Sequence, residues 1–348
     1  MPEPIDDAVT RSRRRHRAAR IEDWFHGVRS RFARARGQVP TIIPYTGYGG
    51  QSETGGWARV LCRVLLTHPR RADRGRPGQG IRGWRSFISV PVGDVPVEVE
   101  IGGITSTVYA DRGGVVDTRV SADLPPGRHT AILRTKGAQP VEADLVVVAS
   151  DARFGIVSDV DDTVMVTALP RPLVAAWNTF VVDEHARTPI PGMAVLYERL
   201  IRRHPGAPIV YLSTGAWNVA PAINRFLDRN LFPEGPLLLT DWGPTHDRWF
   251  RSGVAHKSEN LRRLAAEFPG VRWLLIGDDG QHDDAIYSRF AEEQPDRVAG
   301  IAIRQLSSGE AVLAGGRSTP ANRDGGVVRV TGPDGSRLAD ALVEHDLL

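Results

Sequence analysis

With 348 residues the chain is long enough for two domains of ordinary size, and its hydrophobic (41%) and charged (24%) fractions exclude a disordered chain. No window reaches the roughly 18 apolar residues of a membrane span, and a single cysteine, Cys62, excludes an intramolecular disulfide and suits a reducing compartment. The net charge of +3 is small but unevenly spread. Arg11, Arg13, Arg14, Arg15, Arg17 and Arg20 crowd one stretch, and Arg29, Arg31, Arg34 and Arg36 follow, with Glu22 and Asp23 as the acids among them. Ile21, Trp24, Phe25, Val28 and Phe32 recur at helical spacing, which predicts a basic amphipathic helix within residues 1–36. Such a helix packs on its own protein or lies on an anionic bilayer. No apolar stretch of a secretory signal follows the arginines. The expected location is cytoplasmic, peripheral on the inner membrane face through residues 11–36. The chain shows no basic-aromatic groove pattern, so no nucleic-acid partner is expected.

Residues 37–150 read as β-rich. Val97, Val99 and Ile101 alternate with Glu98 and Glu100, the pattern of a half-buried strand. Further short strands are expected at Ala58–Leu66, Phe87–Val90, Thr105–Tyr109, Val115–Val120, His129–Leu133 and Val141–Val148. Turn signals at Gly102-Gly103, Asp111–Gly114 and Pro125–Gly127 separate several of them. This spacing predicts a small antiparallel β-sandwich. The Asp-x-Gly-Gly turn followed by Leu-Pro-Pro-Gly resembles transthyretin-like and carboxypeptidase-regulatory-type β domains.

Over residues 151–306 strands alternate with helices, the pattern of a parallel sheet. The run Phe154-Gly-Ile-Val-Ser-Asp-Val-Asp-Asp-Thr-Val164 is its most informative part. A short apolar run reads as a buried strand, and it stops at Asp159, Asp161 and Asp162. Clustered carboxylates raise one another's pKa, so the arrangement is costly unless a cation sits among them. Ile209–Leu212 is a strand ending at Ser213 and Thr214, followed by a helix at Ala220–Asn230 and a short strand at Leu237–Leu239. Lys257 starts a helix running to Phe268. Trp273–Ile276 is a strand ending at Gly277-Asp278-Asp279, with Asp283 beyond it. Gly300–Arg304 reads as a last strand, and residues 307–348 as a weakly β tail.

These residue types suit phosphoryl transfer. A carboxylate can attack phosphorus, and a second can protonate the leaving oxygen and then activate water. A hydroxyl and a lysine can hold phosphoryl oxygens, and the remaining acids can hold Mg²⁺. Taken singly, Ser213 could cap a helix and Asp278-Asp279 could be a turn. His246, His256 and His282 read as surface or supporting residues, and Trp242, Trp249 and Phe250 as packing or a loop.

In order and context these motifs resemble the phosphatase branch of the haloacid dehalogenase superfamily. Ser158–Val164, Thr188–Gly192, Tyr211–Trp217, His256-Lys257 and Leu275–Asp283 are similar to the catalytic domain of actin-patch-type phosphatidate phosphatases. Bacterial relatives of that family also carry a segment like Ile43–Gly49. The resemblance implies a doubly wound parallel α/β sheet of haloacid-dehalogenase type, preceded by the sandwich. It implies Asp159 as nucleophile, Asp161 as general acid/base, and Ser213 and Lys257 as phosphoryl ligands. Mg²⁺ would be held by Asp159, Asp161 through its backbone carbonyl, Asp278 and Asp283, with Asp279 as a competing ligand. The expected substrate is phosphatidate or a related lipid phosphate. A soluble sugar phosphate or nucleotide is the alternative, and a non-catalytic phosphatidate sensor is a third reading, disfavoured by the presence of both Asp159 and Asp161. The segment between Thr163 and Ser213 is too short for a large cap, which favours an open site.

Overall fold

The computed structural model describes residues 37–52, 55–68, 90–166, 187–240, 246–280, 282–313 and 326–348, without the side chains of 246–252 and 313. The expected helix at 11–36, residues 87–89 of the expected strand Phe87–Val90, Trp242, the side chains of His246, Trp249 and Phe250, and the whole segment 167–186 lie outside the described residues. No helix among the described residues is long and apolar enough to cross a membrane.

The first sheet opens with a long antiparallel pair, β1 (Val39–Ser52) and β2 (Gly55–Thr67). It continues with β3 (Val90–Pro91), β4 (Pro96–Ile101), β5 (Ile104–Tyr109), β6 (Val115–Ser121), β7 (Gly127–Arg134) and β8 (Val141–Val147). Their order is β3-β2-β1-β8-β7-β4-β5, with β6 also paired to β2. Gly102 and Gly103 both take positive φ in the two-residue turn between β4 and β5, which only a primed hairpin turn requires.

The expected antiparallel sandwich is overturned by the pairing of β1 with β8. These strands run parallel from Gly47↔Leu145 to Gly49↔Val147, so the eight strands form one curled mixed sheet. Alternation along a strand reports which face is buried, not the direction of its partner, and the sandwich rested on alternation. The strand β2 shows why one sheet suffices. Ala58, Val60, Cys62, Val64 and Leu66 enter the core inside the curl, while Trp57, Leu61 and Leu65 enter the core shared with the second sheet. Successive side chains point to opposite faces, so a strand apolar on both faces belongs between two cores.

The second sheet is parallel, in the order β11-β10-β9-β12-β13-β14. Its strands are β9 (Phe154–Asp159), β10 (Ile209–Ala216), β11 (Leu237–Thr240), β12 (Arg272–Asp278), β13 (Val298–Arg304) and β14 (Arg329–Gly332). The described helices are α1 (Met193–Arg203), α2 (Ala220–Arg229), α3 (His246–Glu267), α4 (Asp283–Glu293), α5 (Ser308–Leu313) and α6 (Gly335–Glu344). The expected doubly wound sheet of haloacid-dehalogenase type behind a small β domain is therefore corrected as well. A curled mixed sheet of eight strands stands beside a separate parallel sheet of six, with few helices, and the two share a core. Strand–helix alternation specifies parallel pairing, and it leaves open what covers each face.

After residue 307, β14 joins the edge of the parallel sheet beside β13. Asp334 caps α6, its side chain accepting from the backbone N–H groups of Ser336 and Arg337. The first turn of α6 lies against Gly192, where a Cβ on Gly335 would meet the Gly192 carbonyl carbon at 2.3 Å.

At the centre of the parallel sheet Gly155 faces Trp273 across the β9–β12 ladder. A Cβ there would lie 2.6 Å from the indole ring and 2.9 Å from Val271. Gly155→Ala is expected to lower unfolding free energy by about 1–3 kcal/mol through overpacking. Urea denaturation checks this, and an unchanged midpoint would mean that the Trp273 ring yields freely.

Candidate active site

Strands β10, β9 and β12 are consecutive neighbours, so their carboxyl ends lie side by side. The register sets Asp159 opposite Leu212, the residue before Ser213, and Ser158 opposite Ile276, two residues before Asp278. The apolar runs that bury these strands stop where the polar groups begin.

Beyond Asp159 the chain makes a tight turn. Val164 N–H bonds the Val160 carbonyl at 3.1 Å, and Asp162 N–H bonds the Met165 carbonyl at 2.9 Å. Asp162 adopts a φ of 57°, a left-handed conformation that Asp tolerates better than most residues. Asp159, Asp161, Asp162 and Thr163 are all buried. Thr163 Oγ1 donates to Asp159 Oδ2 at 3.4 Å. Ser158 donates to the Asp159 carbonyl at 2.7 Å and lies 2.6 Å from the Tyr197 hydroxyl of α1, which braces the strand end.

The expected partners converge here. Ser213 Oγ donates to Asp161 Oδ2 at 3.1 Å and accepts from Gly215 N–H at 2.9 Å. Lys257, on α3, places Nζ 2.5 Å from both Asp159 Oδ1 and Asp283 Oδ1. Asp278 ends β12, and its Oδ1 accepts from Gly280 N–H at 2.6 Å. Asp159, Asp278 and Asp283 each offer an oxygen within 4.8 Å of the others. The side chain of Asp161 is outside this trio and bonds Ser213. Asp279 is outside it too, since its Oδ1 accepts from Leu306 N–H at 2.8 Å.

The histidines take other places. His256 is within 3.4 Å of the Leu238 carbonyl, and burial pushes its pKa down to about 4. His282 is exposed at the start of α4.

Charge is out of balance in this pocket. Burial first, and then the Asp283 carboxylate, pushes Asp159 well above the usual carboxylate range, with Lys257 opposing. Burial works against the charge on Lys257, but Asp159 and Asp283 together hold it protonated. Lys257 thus brings one positive charge to three buried carboxyl groups.

Arg304 was not anticipated. This buried residue ends β13 in register with Asp278. It donates to the Asp162 carbonyl at 2.8 Å, to Glu310 at 2.6 Å and to the Pro333 carbonyl at 3.1 Å. An arginine closing the run Val298–Ile303 was the available signal, of the same kind that marked Asp159 and Asp278.

Residues 154–305 match the family model of "Phosphatidate phosphatase APP1, catalytic domain". Over these residues the chain is similar to an APP1-type catalytic domain. The chain is 24% identical over 243 residues to "Phosphatidate phosphatase APP1" of Saccharomyces cerevisiae, covering 64% of this chain and 40% of that protein. It is 25% identical over 157 residues to an uncharacterized protein of Schizosaccharomyces pombe, covering 44% of this chain and 26% of that one. The chain thus spans well under half the length of these relatives. A solved structure described as a carbohydrate acetylesterase from Xanthomonas citri aligns at a TM-score of 0.31 and 10% identity, over 87% of this chain and 73% of that one. All the gathered acids, Ser213 and Lys257 fall inside the matched residues.

Removing Lys257 leaves Asp159 and Asp283 without their cation. In EDTA, Lys257→Met is expected to lose about 3–5 kcal/mol of stability at neutral pH. The folded pKa of Asp159 is raised above its unfolded value, so the penalty grows as pH rises past the unfolded value and is small near pH 4. Denaturation at pH 5 and pH 8 checks this. Equal losses at both would show that the carboxylates do not carry the effect.

Proposed function

We propose that the protein is a Mg²⁺-dependent phosphatase that cleaves the monoester of phosphatidate or a related lipid phosphate through an aspartyl-phosphate intermediate on Asp159. The observation that carries this reading is the convergence of Asp159, Asp161, Ser213 and Lys257 at adjacent strand ends within the APP1-type domain. The substrate class is taken from the printed name of the yeast relative.

The steps assigned to the side chains are these. Asp159 attacks phosphorus, forming a carboxylate O–P bond as the ester P–O bond breaks. Its Oδ1 is held by Lys257 while Oδ2 takes the longer contact from Thr163, which leaves Oδ2 the freer oxygen for attack. Asp161 gives its proton to the departing alkoxide, then takes one from the water that cleaves the aspartyl phosphate, releasing inorganic phosphate. Ser213 bonds Asp161, so the residue that orients the proton shuttle also stands ready to donate to a phosphoryl oxygen. Lys257 brings positive charge to the attacked group.

The trio Asp159, Asp278 and Asp283 fits a small divalent cation. All three are oxygen donors, as Mg²⁺ prefers. Asp283 Oδ2 is buried and has no hydrogen-bond partner, and Lys257 is one cation beside three buried carboxyl groups. When bound, Mg²⁺ would supply neutralising charge to the carboxylates and the phosphoryl oxygens. Residues 11–36, outside the described residues, are proposed to meet an anionic membrane surface.

The purified protein is expected to release phosphate from phosphatidate vesicles in Mg²⁺, and Asp159→Asn to reduce this by at least ~10³-fold, the scale of losing a nucleophile. A soluble ester, 4-nitrophenyl phosphate, runs in parallel. Faster turnover of the soluble ester would refute the lipid assignment, and equal rates in the variant would refute the mechanism. A chain starting at Gly37 is expected to have a higher KM on vesicles and an unchanged KM on the soluble ester.

Metal binding has its own readout. Mg²⁺ at about 100 times its Kd is expected to add about 2.7 kcal/mol of stability, visible as a rise in Tm. Asp278→Asn is expected to remove most of that rise. A rise surviving in Asp278→Asn would place the cation elsewhere.

A further inference from the structure

The phosphoryl-ligand strand β10 is poorly held by its own sheet where it matters. Its pairing with β11 is regular at Leu212↔Leu238 and resumes at Ala216↔Thr240, with a register break between them. Ser213, Thr214 and Gly215 occupy the break. Thr240 Oγ1 steadies the carbonyls of Thr214 and Gly215, at 2.9 and 3.2 Å. The chain then enters a single 3₁₀ turn, Trp217–Val219, with no side-chain cap at its start. Such turns leave backbone groups without partners and depend on outside contacts.

Those contacts come from the mixed sheet. The Tyr45 ring of β1 stacks on the Trp217 indole, with centroids 4.7 Å apart and planes 26° from parallel. The Tyr45 hydroxyl donates to the Trp217 carbonyl at 3.1 Å, in a buried setting. From β2, Arg63 Nη1 donates to Asn218 Oδ1, and Arg63 Nε donates to the Gly113 carbonyl at 3.0 Å. The guanidinium is thereby fixed at one end and grips the turn at the other.

We propose that Tyr45 and Arg63 are positioning residues of the active site: by clamping Trp217 and Asn218, the mixed sheet sets where Ser213 Oγ stands relative to Asp161 and the phosphoryl group. The proposal rests on the reading of Ser213 as a phosphoryl ligand. It gives the first sheet a part in catalysis beyond packing.

A second cross-sheet link serves as the comparison. Arg59 of β2 bonds Glu267 at 2.5 Å and Asp117 at 2.7 Å, while Tyr48 donates to Glu267 at 2.8 Å. Glu267 ends α3, roughly 15 Å along the helix from Lys257. This link ties the mixed sheet to α3 without touching the Ser213 turn.

The test uses the full chain with Arg63→Met, Tyr45→Phe, Asn218→Ala, Arg63→Met with Asn218→Ala, Arg63→Lys and Arg59→Met. Turnover of 4-nitrophenyl phosphate in Mg²⁺ and hydrogen exchange of the Ser213–Val219 amides are measured on each. Arg63→Met and Asn218→Ala are expected to lower kcat by roughly ten- to a hundredfold, the scale of an ångström-sized misplacement. KM should change little and exchange across 213–219 should quicken. The double variant should be no worse than either single one. Arg63→Lys should recover part of kcat, and Tyr45→Phe, which keeps the stack, should show a smaller loss. Arg59→Met should lower Tm yet leave kcat and the 213–219 exchange as in the parent. Unchanged exchange in Arg63→Met, quickened exchange with unchanged kcat, or an equal kcat loss in Arg59→Met would each overturn the proposal. If the parent chain turns over no ester, the phosphatase reading falls instead, and the exchange data still decide whether the clamp holds the turn.

Discussion

A buried lysine stands between two buried carboxylates, with a third oxygen donor beside them. Lys257 reaches Asp159 and Asp283 at equal distance, and Asp278 completes the group. Burying one ion pair is costly, and burying an excess of like charge is more so. The arrangement persists because its surroundings hold it: β9, β10 and β12 are buried along most of their length, and α3 carries the lysine. A parallel sheet supplies this rigidity naturally, since its strands are covered on both faces and end at one edge. The same enclosure that makes the charges expensive keeps them in place.

The two sheets act as one body for the purpose of that enclosure. Tyr48, Trp57, Phe268 and Trp273 form a chain of ring contacts running from the mixed sheet into the parallel one. Around it, the links from Arg59 to Glu267 and from Arg263 to Asp117 tie β2 and β6 to α3. Partly buried arginine–carboxylate pairs with several donors each are the kind of ion pair that holds geometry. The parallel strands therefore have a fixed wall on the side where the mixed sheet lies.

Much of this was legible in the residues, and the gaps have physical causes. The strands at Ile209–Leu212, Trp273–Ile276 and Gly300–Arg304 stand out because fully buried parallel strands are continuous apolar runs, and polar residues mark their ends. The mixed sheet was harder. Its individual strands were readable from alternation, but the parallel pairing of β1 with β8 joins segments far apart in the chain and leaves no local trace. The strand β1 itself was hidden by Pro44 and three glycines, Gly47, Gly49 and Gly50, which usually signal turns. Gly47 and Gly49 are needed because a Cβ at either would lie 2.4 Å from a carbonyl oxygen of β2. Helix α1 escaped notice although Met193, Leu196, Tyr197 and Leu200 have helical spacing, because it opens on a left-handed Gly192 with no capping side chain. Asp159, Asp161, Ser213, Lys257, Asp278 and Asp283 were named from the chain, whereas the Asp279 hydrogen bond to Leu306 N–H, which sets Asp279 apart from the trio, joins segments too distant in the chain to read.

Arg304 clarifies what the pocket lacks. It lies opposite Asp278 in the ladder, near enough in the fold to have served as a second neutralising cation. Its donors are instead committed to the Asp162 carbonyl, the Pro333 carbonyl and Glu310. Arg304 therefore stiffens the turn that carries Asp161 and Asp162 and is already paired with an acid of its own. Among the described residues, Lys257 is the cation in contact with Asp159 and Asp283. A phosphate monoester would bring further negative charge to this place, and Lys257 cannot balance both it and the acids. Under the proposed reading, these side chains would repel their substrate unaided. A divalent cation at the trio would answer both difficulties at once, holding the acids together and drawing a phosphate in, and this is the physical ground for proposing Mg²⁺ there.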